Sequence, residues 1–209
     1  MRRLAQGVAL QNVRQIFDNV SFIVFNYDRC LEYFLLHALQ YVYGISDEDA
    51  YSIVDDLTII HPFGDIGPLT KVPFGGPNNL NDLKFTPISD RIQTYTEAAT
   101  SKYNEIQVEV ARAQCFVFLG FAFHPEAMRL LTPSNPLPRL PPVFATARGM
   151  SDEDAAHVAF QISRISPHLP RRSWGPLKVR NDLTCAQLFD GYARSIAAPP
   201  AVALLHHAR

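Results

Sequence analysis

The sequence is short of cysteine, of long apolar runs and of any excess charge, and each shortage removes a class of function. Its three cysteines, Cys30, Cys115 and Cys185, are odd in number and widely separated, with none in a paired metal-ligand spacing. A disulfide framework or a zinc site is not expected; three buried free thiols in a reducing cytoplasm are. No stretch approaches the ~20 consecutive apolar residues that span a bilayer, so no membrane helix is expected. Nineteen basic against twenty acidic residues leave a formal charge of −1, whereas a protein that lives on a phosphate backbone carries a strong positive balance. Nucleic acid is therefore not the expected partner. Met1-Arg2-Arg3-Leu4 has the basic opening of a signal peptide, but Gln6, Gln11, Asn12 and Arg14 break the apolar stretch at once, and export is not expected.

What the chain does have is enough length and apolar content for a full core: 209 residues, 47% of them hydrophobic. A chain of this size buries about 70% of its unfolded surface. Residues 8–18 follow helical spacing, and Val20 to Phe25 reads as a short strand buried on both faces. Leu31 to Tyr43 is apolar nearly all round, as in a helix lying in the interior, and Gly44 ends it. Ser46-Asp47-Glu48-Asp49 caps a short helix, and Leu57 to Ile60 is a second strand.

Pro62 to Pro87 is dense in proline, glycine and asparagine and reads as one long surface loop. Ser89 to Ala113 has few breakers and predicts a long helix, or two joined near Thr100. Cys115 to Phe123 is strand-like, and Pro125 sits where a helix starts. Val143 to Ala147 is a fourth strand, and Ser151-Asp152-Glu153-Asp154 caps another helix. Pro167 to Asp182 reads as a basic surface connector, Cys185 to Ile196 as a last helix, and 197–209 as a fraying tail.

Strands alternating with helices imply an α/β fold: a three-layer, mostly parallel, Rossmann-like sheet with helices on both faces, forming one domain over 1–196. Ligands of such sheets sit in the crevice outside the carboxyl ends of the strands. The residues just past each strand are thus the candidates. Asn26-Tyr27-Asp28 follows the first strand; it is either a helix cap or an amide and carboxylate that suit a nucleoside-like ligand. His61-Pro62-Phe63-Gly64 follows the second, and its imidazole is either a satisfied loop residue or a general base. Gly120-Phe121-Ala122-Phe123-His124-Pro125-Glu126 closes the third, where Gly120 either makes room for a helix or lets a ligand approach the backbone. Arg148, after the fourth strand, is either solvated in a turn or faces a phosphate. A hydrolase using His61 and Asp28 with a metal lacks a third ligand at useful spacing.

Taken in order, the strand ending in Phe-Asn-Tyr-Asp with Leu-Glu after it, the strand ending in His-Pro-Phe-Gly, and Phe-Leu-Gly-Phe-Ala-Phe-His-Pro-Glu resemble the bacterial sirtuin-like domains that use or cleave NAD. The resemblance covers about Phe22 to Leu131. It implies catalytic roles for Asn26, Asp28 and His61, with His61 as the base, and cofactor contacts at Asn26, Tyr27, Asp28, Gly120, Phe121 and His124. It implies NAD as substrate or ligand, NAD glycohydrolase activity, and a role in bacterial defence by NAD depletion or nucleotide sensing. The family opens with a Gly-Ala-Gly-type loop that cradles the pyrophosphate, yet Gly7 is the only glycine ahead of Asn26. The expectation is therefore a sheet incomplete at the N-terminus, its site completed by a second copy or a partner chain. Without the family's zinc-binding Cys-x-x-Cys pairs, protein deacetylation is not expected. A non-catalytic binding or assembly module that has lost the cofactor loop is the alternative.

Overall fold

The computed structural model describes residues 1, 4–75, 90–94 and 102–197. Later parts of the expected loop (76–87), stretches of the expected long helix (89 and 95–101) and the tail from 198 onward lie outside the described residues. The chain divides into two compact units, Met1–Glu105 and Ile106–Arg209, and each is described by itself.

In the first unit, a 3-10 helix (Leu10–Gln15) precedes β1 (Phe22–Ile23), α1 (Cys30–Tyr43), α2 (Asp47–Asp56) and β2 (Ile59–Ile60). β1 and β2 pair in parallel, Phe22 opposite Ile59 and Ile23 opposite Ile60. Hydrogen bonds from Phe22 N–H to the Thr58 carbonyl (2.9 Å) and from Val24 N–H to the Ile60 carbonyl (2.8 Å) carry the pairing beyond those residues. The core is helical: Leu35, Leu36 and Leu39 of α1 pack with Ala50, Ile53 and Val54 of α2 and with Val13, Ile16 and Phe17. Each such large aliphatic contributes about 1.5–3 kcal/mol by leaving water. Local chemistry sets the helix limits. Gly44 takes the left-handed conformation that ends α1, and the Ser46 hydroxyl accepts from Asp49 N–H at the start of α2.

Two expectations for this unit are corrected. α1 is not an interior helix: only one stripe is buried, while Phe34 (56% exposed) and Tyr41 (86%) face outward. Apolar residues all round a helix do not show which face is covered. β1 is half-buried on both faces rather than fully enclosed.

The second unit contains most of α3 (Tyr103–Arg112), followed by β3 (Phe116–Phe118), α4 (Pro125–Leu130), β4 (Val143–Thr146), α5 (Asp152–Ser163), a 3-10 turn (Arg171–Ser173), β5 (Leu177–Arg180) and α6 (Cys185–Ala197). Its three strands are parallel in the order β3-β4-β5, and β4, buried at every position, is central. A buried central strand reads as a continuous apolar run, which is how 143–147 announces itself. α5 packs on β5 and α6 on β4, with Phe144 and Tyr192 in ring contact at 5.1 Å between centroids.

Here the sequence misled at two places. Asp90–Thr94 is not helical, and the described helix starts only at Tyr103. Leu177–Arg180, expected in a surface connector, is an edge strand paired with β4. Its Lys178 is exposed and its other residues are half-buried, so the segment lacks the apolar run that marks a central strand. The α/β alternation and the parallel pairing are as expected; the described strands form a two-stranded and a three-stranded sheet. The thiols are all free, but Cys30 and Cys185 are exposed and only Cys115 is half-buried, its pKa pushed up by burial to about 11.

Candidate functional site

The parallel strands β1 and β2 end side by side, so the segments that leave them must turn next to each other. After β1 the chain turns through Asn26-Tyr27-Asp28 into α1. Asp28 caps that helix: its Oδ1 accepts from Cys30 N–H at 3.0 Å, which is the main reason its carboxyl sits below the usual range. The Asn26 side chain also bonds Asp28 and lowers it further. After β2 comes His61, 7% exposed, whose Nδ1 lies 2.9 Å from the Asn26 carbonyl and whose Nε2 lies 2.7 Å from Glu32 Oε1. A carbonyl only accepts, so Nδ1–H donates to it; a carboxylate likewise accepts from Nε2–H. In the imidazolium form both bonds are made at once and the ring pairs with Glu32. Burial alone would depress the His61 pKa, but the bonds to Glu32 and Asn26 and the charges of Glu32 and Asp65 outweigh it and raise it. The two bonds differ in strength: one to a charged acceptor is worth about 1.5–3 kcal/mol, one to a neutral carbonyl about 1.

Charge continues outward from this pair. Arg29, 3% exposed, donates from Nη1 to the Val72 carbonyl at 2.5 Å, while its Nε has no partner. Burial lowers its pKa, and the charges of Glu32 and Asp65 oppose that. Asp65 accepts from Gly67 N–H and from Arg91, whose Nη2 is 2.7 Å from Oδ1; these outweigh burial and keep its carboxyl low. Ile59, His61, Gly64, Asp65, Arg91, Gln93 and Lys102 line a cleft of about 290 Å³. Gly64, at φ +82°, is required there: a Cβ would stand 1.7 Å from the Arg91 carbonyl oxygen.

In the second unit a cleft of about 370 Å³ opens at the carboxyl ends of β3 and β4, lined by Gly120, Phe121, Thr146, Ala147, Arg148, Met150, Leu183, Thr184 and Cys185. Gly120 (φ +58°) and Phe123 (φ +54°) fold the chain back after β3. Gly120 N–H donates to Thr146 Oγ1 at 3.1 Å, which ties that fold to the end of β4. Thr184 starts α6 with a reciprocal cap: Thr184 N–H donates to Gln187 Oε1 at 2.9 Å and Gln187 N–H to Thr184 Oγ1 at 3.2 Å.

Of the candidates, Asn26, Asp28 and His61 come together in the first unit, with Tyr27 exposed beside them. Gly120, Phe121 and Arg148 line the second unit's cleft, whereas His124 is an exposed residue at the start of α4, outside that lining. The sequence missed Glu32 and Arg29, whose partners lie 29 and 43 residues away. It also missed Thr184, although Thr-x-x-Gln is a legible capping signal. Among the described residues no group of His, Cys, Asp and Glu could hold a metal ion, and no helix is long and apolar enough to cross a membrane.

No family model, curated protein or solved structure matches the chain.

Proposed function

We propose that this chain is a sirtuin-like α/β domain that binds NAD, with the nicotinamide ribose at Asn26, Asp28 and His61. One observation carries the reading: an amide and a carboxylate from one strand end and an imidazole from the next, the imidazole bonded to the Asn26 backbone carbonyl, lie outside the carboxyl ends of parallel strands. The finer expectation of a three-layer, Rossmann-like arrangement with helices on both faces goes with it, while Gly120 and Phe121 belong to the second unit's own cleft. The reaction this set suits is hydrolysis of the N-glycosidic bond. An oxocarbenium-like centre needs nearby negative charge, which Asp28 supplies, and an oriented nucleophile, for which His61 is the base. NAD depletion in bacterial defence is the role the resemblance adds.

A specific observation favours a second reading, a non-catalytic binding or assembly module that has lost the cofactor loop: both nitrogens of His61 are already engaged. Incubation of the full chain with NAD separates the two. Nicotinamide release by the wild type and not by His61→Asn is the expected result. Stabilisation by NAD with no release selects the binding module, and the absence of both effects defeats the NAD reading.

A further inference from the structure

Resting on the NAD reading, we propose that Glu32 is the positioning residue of His61: it fixes Nε2–H and leaves Nδ1, at the Asn26 end of the ring, as the nitrogen that accepts a proton from water or a ligand hydroxyl.

To act as a base the imidazolium must first lose one of its two protons, and the surroundings decide which. If Nε2–H left, a lone pair would face the Glu32 carboxylate across 2.7 Å. Glu32 would lose its bond to His61, and its other oxygen, Oε2, is already buried without a partner. If Nδ1–H left, the lone pair would face only the neutral carbonyl of Asn26, an exposed turn residue. The second loss is the cheaper, so the neutral ring keeps Nε2–H. That is the logic of any carboxylate–imidazole pair: the carboxylate selects the tautomer, and the opposite nitrogen does the chemistry.

The other charged groups around the ring agree. Arg29, the residue just before α1, is buried, and the charges of Glu32 and Asp65 act on it. Asp65, from the loop after β2, favours the imidazolium, although Arg91 neutralises part of its charge. Asp28 lies on the Asn26 side. In the neutral ring, the Nδ1 lone pair and the Asn26 carbonyl oxygen are two acceptors that repel across 2.9 Å, and a hydroxyl donor reaches Nδ1 once the exposed Asn26 turn shifts aside. When water occupies that position, its O–H bond breaks and Nδ1–H forms. The oxygen's electron pair attacks the anomeric carbon as the C–N bond to nicotinamide breaks, and the pyridinium nitrogen takes that bonding pair. Nicotinamide leaves neutral. The imidazolium, still paired with Glu32, returns its proton to solvent.

The test is histidine NMR on the full chain, with His61 assigned by His61→Asn. The expected result is a titration midpoint above the ordinary imidazole value of about 6.5, and the Nε2–H tautomer once the ring is neutral. In Glu32→Gln the midpoint falls towards the ordinary value; Glu32→Asp restores part of the rise. In nicotinamide release, Glu32→Gln moves the rising limb of the pH profile to lower pH and reduces its plateau at least about tenfold. A neutral ring in the Nδ1–H tautomer, or a midpoint unmoved in Glu32→Gln, overturns the proposal. The wild-type tautomer decides the matter even if Glu32→Gln does not fold. If the titration behaves as expected while NAD is neither bound nor cleaved, the Glu32 assignment is upheld and the NAD reading is lost.

Discussion

The most buried ion pair among the described residues is His61 with Glu32, their side chains 7% and 16% exposed, and its energetics are those of a partly desolvated pair. Removing one member strands the other, which costs more than the pair contributes as a whole. His61→Ala is therefore expected to destabilise the protein by about 3 kcal/mol, read from urea unfolding near pH 6. The pH dependence has a definite sign. The folded-state pKa of His61 is raised, so its contribution is complete below about 6.5 and is lost as pH rises through the higher folded value. The stability gap between wild type and Glu32→Gln should narrow over that window. Asp65 runs the other way. Its folded pKa is lowered, so its share is present above about 3.9 and disappears as pH falls through the folded value. At this scale Asn26, Asp28 and His61 were legible because polar residues that stop an apolar run stand out in one dimension. Glu32 was not, because which helix face meets a strand end 29 residues away is a tertiary fact.

Helix ends were the most legible elements, since caps are local chemistry. The Ser46 and Ser151 hydroxyls accept from Asp49 N–H (3.1 Å) and Asp154 N–H (3.0 Å), as their sequence pattern predicts. Ser46→Ala and Ser151→Ala should each cost about 1 kcal/mol, with little coupling because they sit in separate units. Strand lengths and edge strands were less legible. β5 is recognised only through its pairing with β4, and the exposed aromatics of α1 differ from its buried leucines in neighbours rather than in type. Two glycines show how position decides a substitution. A Cβ on Gly175 would meet Pro142 N at 2.5 Å beside the start of β4, whereas one on Gly120 meets nothing within 4 Å. Gly175→Ala should lower the urea midpoint markedly. Gly120→Ala should cost only the about 1–2 kcal/mol of a left-handed residue.

For the whole molecule, the alternation of strands and helices predicted an α/β chain with parallel strands, and both units have that character. The pairing of elements into two compact units was not legible, because no composition shift marks the division at Glu105. The central claim, that this chain binds NAD, is tested most directly by thermal unfolding of the full chain with and without NAD. At a hundredfold excess over the dissociation constant a ligand specific for the folded state stabilises it by about 2.7 kcal/mol. For a chain of this length that raises the melting temperature by about 5–10 °C. A concentration-dependent rise of that order, reduced in Asn26→Ala, is the predicted result. A melting temperature that stays the same up to millimolar NAD would contradict it.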